Sequence, residues 1–220
     1  MKLENTPEWR KGRNGEILMH AFAIEHGCTT FDISGTAHGR APVLNSRCRN
    51  TIAPDALHIR NYPIWAEYKT KLNTFNWNGG NREIRESGGM VPCLAHGIDD
   101  HQFIHYQQAN EHIPVVLWFL TLNTGMLHVA SLDELGEPIS SVRPELHPLV
   151  NWPLDRMRRV ATFDRKRLFS YIQRPARQTL PTDSQRKELL HWLRPVQLEF
   201  EGFIEHFLTV CENRWHAAAS

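Results

Sequence analysis

Apolar side chains first repeat at Ile17, Leu18, Ala21, Phe22 and Ile24. That spacing is helical and predicts a helix from Gly15 to His26, stopped by Gly27. Residues 1–13 are polar and basic and are expected to fray. Thr29 to Ile33 is β-branched and aromatic, the composition of a strand. Gly35 to Asn50 has turn chemistry and no period, which predicts a loop. Thr51–Ile59 and Pro63–Lys71 read as two strands joined by a short turn at Arg60-Asn61-Tyr62. In the second strand Ile64, Ala66 and Tyr68 alternate with Trp65, Glu67, Lys69 and Lys71, so one face is apolar and the other carries charge.

Phe75 to His96 holds two Gly-Gly pairs and little periodicity, and is expected to be a long functional loop. Asp99 or Asp100 can cap a helix running to about Asn110. Pro114 opens the apolar run Val115–Leu120, a buried strand. The turn Asn123-Thr124-Gly125 returns the chain antiparallel through Met126–Ala130, and Ser131 begins a short helix. Prolines at 138, 144, 148, 153 and 175 break any long helix in 136–182, and no element is assigned there. Helices are expected over Ser184–Leu193 and Val196–Arg214. The second has a stripe of Phe200, Phe203, Ile204, Phe207, Leu208 and Cys211, which reads as core or, more sharply, as a homodimer seam. This order predicts an α/β (α+β) fold with a mixed central sheet. Residues 1–135 form the expected core, and 136–220 a basic segment and C-terminal helices packed on it.

Composition changes this picture little. The 220 residues are 41% hydrophobic and 22% charged, too apolar for a disordered chain. A net charge of +1 argues against a protein that coats polyanions through overall basicity, but allows a local basic patch. No apolar run approaches a membrane span and the N-terminus lacks a signal-peptide pattern, so a cytoplasmic protein without membrane contact is expected. Cys28, Cys48, Cys93 and Cys211 are scattered, as reduced thiols would be.

The candidate chemistry lies in Ala53-Pro54-Asp55 and Ala66-Glu67-Tyr68-Lys69. Paired as a hairpin, the two strands bring Asp55 toward Glu67, and Glu67 and Lys69 share a face. Two carboxylates at this separation suit Mg²⁺, which takes oxygen ligands at about 2.0–2.1 Å and keeps waters or phosphate oxygens beside them. Lys69 lowers the cost of crowding two anions. Glu16 could add a carboxylate from the first helix, and the Tyr68 carbonyl a further oxygen. A surface strand with a cross-face salt bridge would carry the same letters. Cys93, His96, His101 and His105 form a second group. His101 and His105 stand four apart on a helix, a spacing that can bind zinc or simply border a cleft. A third feature runs from Asp155 to Arg174: Arg156, Arg158, Arg159, Arg165, Lys166, Arg167 and Arg174 stand against two acids. It reads as a solvated face or as a phosphate-backbone contact, with Arg82 and Arg85 as further candidates.

These pieces resemble the PD-(D/E)xK nuclease superfamily, in its restriction-endonuclease-like and Holliday-junction-resolvase-like branch. The matching residues are Trp9-Arg10-Lys11-Gly12 running into Gly15-Glu16, then Pro54-Asp55, Glu67-Tyr68-Lys69, the helix holding Tyr106-Gln107, and Pro114 to Leu120. They cover about residues 8–132. The resemblance implies Mg²⁺- or Mn²⁺-dependent hydrolysis of nucleic-acid phosphodiesters, leaving 5′-phosphates. Asp55 and Glu67 would be metal ligands, Lys69 the catalytic lysine, Glu16 the helix-borne acid, and Gln107 or Tyr106 a polar residue near the metal. The expected partner is DNA, with RNA also open, and the expected activity endonucleolytic. A non-catalytic nucleic-acid binder and an assembly subunit on the same scaffold are the competing readings.

Overall fold

The computed structural model describes residues 6–33, 43–44, 51–77, 93–141, 149–177, 179–197 and 199–219. The first helix, α1, spans Pro7–Glu25 and starts well before the apolar stripe. Thr6 caps it by accepting the Trp9 N–H at 3.2 Å, and Pro7 supplies a first-turn residue with no N–H to satisfy. The polar residues expected to fray are therefore helical from Pro7 onward. Periodicity missed them because their caps, and not a buried face, begin the helix.

The strands β1 (Thr29–Asp32), β2 (Val43–Leu44), β3 (Thr51–Ile52), β4 (Ala56–Ile59) and β5 (Pro63–Lys71) follow. Next come β6 (Phe75–Trp77), β7 (Cys93–Asp99), α2 (Asp100–Asn110), β8 (Val115–Thr121), β9 (Met126–Ser131) and α3 (Leu132–Leu135). After β10 (Ile139–Ser141) and β11 (Leu149–Pro153), a 3-10 turn at Leu154–Arg156 leads into β12 (Arg158–Thr162). The chain ends with α4 (Arg165–Ile172), α5 (Asp183–Leu193), β13 (Val196–Gln197) and α6 (Phe200–Ala219).

The result is a mixed α/β fold with a central mixed sheet flanked by helices. Seven strands lie in the order β1-β4-β5-β8-β9-β12-β13. Among the described residues only β5 and β8 pair in parallel, with Glu67 opposite Leu117 and Lys69 opposite Phe119. The predicted hairpin is present over Ala56–Ile59, with Ala56 opposite Ala66 and Ile59 opposite Pro63. Thr51–Ile52, however, leaves the expected strand and pairs with Val43–Leu44, inside the expected loop, in a two-stranded sheet of its own. A smaller sheet, β10-β11-β7-β6, lies apart from it. Both ends of the expected loop at 75–96 are strands of that sheet, because β7 finds a partner in β11, a strand distant in sequence. β12 joins the central sheet through residues whose charge hid their alternation.

Strand alternation sorts the core into two layers. Ile64, Ala66, Tyr68, Val116, Trp118 and Leu120 face a cluster built with α1, α4, α5 and α6. Trp65, Val115, Leu117 and Phe119 face a second cluster with α2, α3, β7 and β11. The α6 stripe from Phe200 to Cys211 is spent in the first cluster, so it is core within one chain and not a free seam. No helix among the described residues is long and apolar enough to cross a membrane.

Candidate active site

β4 and β5 position the carboxylates. Continuing their register past Ala56–Ala66 places Asp55 opposite Glu67 and Pro54 opposite Tyr68. The even residues of β5 point their backbone groups toward β4, since the odd-numbered Trp65 and Lys71 bond across to the β8 side. Pro54 has no N–H, so the ladder cannot close there. The Tyr68 N–H is instead taken by the Asp55 carboxylate, at 2.9 Å to Oδ2. The Tyr68 carbonyl faces the same edge without a ladder donor.

Alternation puts Asp55, Glu67, Lys69 and Lys71 on one face of the sheet, turned toward α2 and β7. Glu67 is 1% exposed. The Lys69 ammonium pairs with its Oε1, and the Tyr106 hydroxyl lies beside it. Yet neither Glu67 oxygen has a hydrogen bond of ordinary geometry among the described residues. A buried carboxylate left this way is costly, and such groups concentrate at functional sites.

The charges converge. Burial, then Glu67, then Glu16 push the Asp55 carboxyl well above the usual range, against the pull of Lys69 and the Tyr68 N–H. Burial opposes the Lys69 ammonium, but Glu67 and Asp55, with Asp99 beyond them, outweigh it and hold its pKa above the lysine norm. Lys71 is lowered, first by burial and then by Lys69. The charges of Glu67, Glu16 and Lys69 thus all act on the Asp55 carboxyl.

Glu16 arrives on α1, which approaches β5 so closely that a Cβ on Gly15 would fall 1.8 Å from Thr70 Oγ1. Arg13 holds Glu16 at 3.0 Å and clasps Asp32 through both of its terminal nitrogens. Arg13 and Asp32 adjoin these groups and are residues that the sequence reading did not assign. Arg13 stands three residues before Glu16, a spacing that could have suggested it. Of the two α2 positions, Tyr106 is buried against Glu67, whereas Gln107 is exposed. The polar residue the structure brings to the site is therefore Tyr106.

Asp55, Glu67 and the Tyr68 carbonyl fit a hard divalent cation. Two of them are carboxylates, Glu67 is buried on the face that Asp55 shares, and Mg²⁺ needs only one or two protein carboxylates. No group of three His, Cys, Asp or Glu side chains among the described residues is arranged to hold a metal. The suggested zinc set is not assembled. His96 is buried in β7, stacked on Phe119 and 2.9 Å from Thr121 Oγ1. His101 and His105 face each other on α2, 3.3 Å apart through their Nε2 atoms. The Cys93 side chain lies outside the described residues, as do Arg82 and Arg85.

The basic run is dispersed. Arg156 donates to the carbonyls of Leu135 and Glu137, both at 2.9 Å. Arg158 lies over the Phe203 ring. Arg167 donates to the Trp192 carbonyl at 2.5 Å. Arg159 on β12, and Arg165 and Lys166 on α4, are exposed. β12 stands three strands from β5.

No family model matches the sequence, and no curated protein matches it. Among solved structures, Hjc, a Holliday junction resolvase from the archaeal hyperthermophile Archaeoglobus fulgidus, is similar with a TM-score of 0.41 and 9% identity. That likeness covers 66% of this chain and 90% of the resolvase.

Proposed function

We propose that this chain is a Mg²⁺- or Mn²⁺-dependent nuclease that hydrolyses DNA phosphodiester bonds as an endonuclease, on a restriction-endonuclease-like core. The observation that carries this reading is the buried Glu67 carboxylate, facing Asp55 and paired with Lys69. Asp55, Glu67 and the Tyr68 carbonyl would hold the cation. Bound there, it would neutralise phosphate charge and acidify water.

The chain's own groups do the rest. The Tyr68 N–H fixes one oxygen of Asp55 and leaves the other for a ligand. Lys69 stays protonated between its carboxylates and can steady charge on a phosphate oxygen. Tyr106 orients Glu67 from α2. Arg13 holds Glu16 near the acids, so that Glu16 can accept a proton or a water contact without swinging free. Arg159, Arg165 and Lys166 contact the DNA backbone without reading bases. Cutting both strands of a duplex calls for two such sites, and hence for a pair of chains on DNA.

The test is digestion of supercoiled, linear duplex, single-stranded and branched DNA by the wild type, Glu67→Ala and Lys69→Ala, with circular dichroism to confirm folding. Mg²⁺-dependent cleavage by the wild type, lost in both variants, is expected. Undiminished cleavage by both variants removes the assignment. DNA binding without cutting by the wild type in Mg²⁺ leaves a non-catalytic binder.

A further inference from the structure

A second concave site lies between α1, α4 and α5, a cavity of about 610 Å³ that shares no lining residue with Asp55, Glu67 or Lys69. Its volume is within the usual range for one small ligand. Four arginines line it: Arg167, Arg174, Arg177 and Arg194. Among the described residues, none of them pairs with a carboxylate, although Glu188 is also in the wall. Arg167 and Arg177 each spend one nitrogen on a neutral oxygen, the Trp192 carbonyl and Gln185 Oε1 (2.7 Å). Guanidiniums so placed favour a phosphate, which they can grip with paired donors.

Two aromatic side chains, Tyr171 and Trp192, also line the wall. Tyr171 is buried, and the Arg174 guanidinium lies over the Trp192 ring, 4.5 Å from its centroid. A flat ring can stack on such a layered cation and indole. The floor is fixed: Asn14 donates to the carbonyls of Ile172 and Arg174 at 3.1 and 2.9 Å, tying α1 to the end of α4. Arg194 caps α5 in the left-handed region, at φ 47°, an unusual conformation for a residue other than glycine, and reaches the pocket from there.

We propose that this pocket binds one nucleotide unit, with its phosphate among the arginines and its ring against the layer that Arg174 and Trp192 form. A free nucleotide and the phosphorylated end of a strand are its two sources, because both carry the same chemistry. The site is separate from the proposed cleavage centre and does not depend on catalysis.

Titration calorimetry in EDTA separates the possibilities. The ligands are deoxyadenosine monophosphate, deoxyadenosine, inorganic phosphate, and one short DNA strand with and without a 5′-phosphate. The monophosphate is expected to bind at least tenfold tighter than either fragment. The Arg177→Gln, Arg194→Gly double variant should weaken that binding at least tenfold with an unchanged Tm. Both side chains are exposed, and glycine suits the backbone at 194. Glu67→Ala should bind the monophosphate as the wild type does, even if no nuclease activity exists. A strand preferred for its 5′-phosphate would identify a strand end as the source, and indifference to it a free nucleotide; both support the pocket. Phosphate binding as tightly as the monophosphate, affinity untouched by the double variant, or no binding at millimolar ligand would each overturn the proposal.

Discussion

Replacing Asp55 with asparagine tests the crowding of charge directly. Asparagine can still accept the Tyr68 N–H that Asp55 accepts at 2.9 Å, so the hairpin end is kept. What disappears is a negative charge that faces Glu67 and Glu16 and is only partly offset by Lys69. Burial first, and then the two like neighbours, disfavour that anion more than Lys69 and the Tyr68 N–H favour it, and its removal is expected to stabilise the metal-free protein by about 1–2 kcal/mol. For a chain of this size that raises Tm by about 2–8 °C. The pH dependence has a definite sign. The folded state raises the Asp55 pKa, so the wild-type penalty is absent below the ordinary carboxylate range. It grows as pH rises through that range and levels off above the folded pKa. Thermal unfolding in EDTA from pH 4 to 8 should therefore show the advantage of Asp55→Asn widening with pH. Mg²⁺ at about one hundred times its Kd would stabilise the wild type by about 2.7 kcal/mol and the variant by less. An asparagine variant less stable than the wild type in EDTA would refute the reasoning, because Asp55 would then be a structural residue.

Acid should destabilise the whole protein. Burial lowers His20 and His128 to about 4, and His58 and His96 to about 3. Lowered pKa values leave the unfolded chain binding more protons below pH 6.5, so stability is lost as pH falls, by at most about 5 kcal/mol per unit for the four together. This outweighs the single opposite contribution of Asp55, and a flat Tm between pH 7 and 5 would contradict it. Gly15→Ala puts a Cβ 1.8 Å from Thr70 Oγ1 and 3.0 Å from Thr70 Cβ, so rotation of the threonine does not remove the clash. A cost of about 1–3 kcal/mol is expected in denaturant titration, partly recovered by Thr70→Ala. Pro54→Ala offers the Tyr68 carbonyl a ladder N–H, and Mg²⁺ affinity measured by calorimetry should fall about tenfold. An unchanged affinity would remove that carbonyl from the ligand set.

Local pattern made much of the hairpin legible. The alternation in β5 and the short turn at Arg60-Asn61-Tyr62 set its register, and register sets which residues share a face. α2 was legible from the aspartates at its start, and the β8–β9 pair from the apolar run after Pro114 and the turn at Asn123-Thr124-Gly125. What escaped the sequence depends on distant partners. β7 is a strand because β11 lies beside it, and His96 is buried because Phe119 lies beneath its ring. The Arg158–Thr162 stretch carries two arginines, yet Val160 and Ala161 are buried once β9 and β13 flank them. The clasp of Arg13 on Asp32 joins residues on a helix and a strand, and no spacing rule links them.

The site follows from an unequal pair of strands. β5 runs on to Lys71, whereas β4 begins only at Ala56, so the end of β5 has no antiparallel partner beyond Ala66. A proline next to that boundary removes the N–H that would have lengthened the ladder. An aspartate just after it supplies a side-chain acceptor in place of a backbone one. The strand edge that results offers a carbonyl, holds one carboxylate by its backbone and projects a second from its own face. In an ordinary sheet such an edge would be covered or blunted. Here the carboxylates lie under α2, with two lysines on the same strand and an arginine holding the helix-borne acid. The cost of collecting these charges is set against the ammonium and guanidinium groups already in place, and a divalent cation would relieve what they leave. The same few residues therefore stop the hairpin and create the charge imbalance, which is why the stability of this region and its metal affinity should change in opposite directions when Asp55 loses its charge.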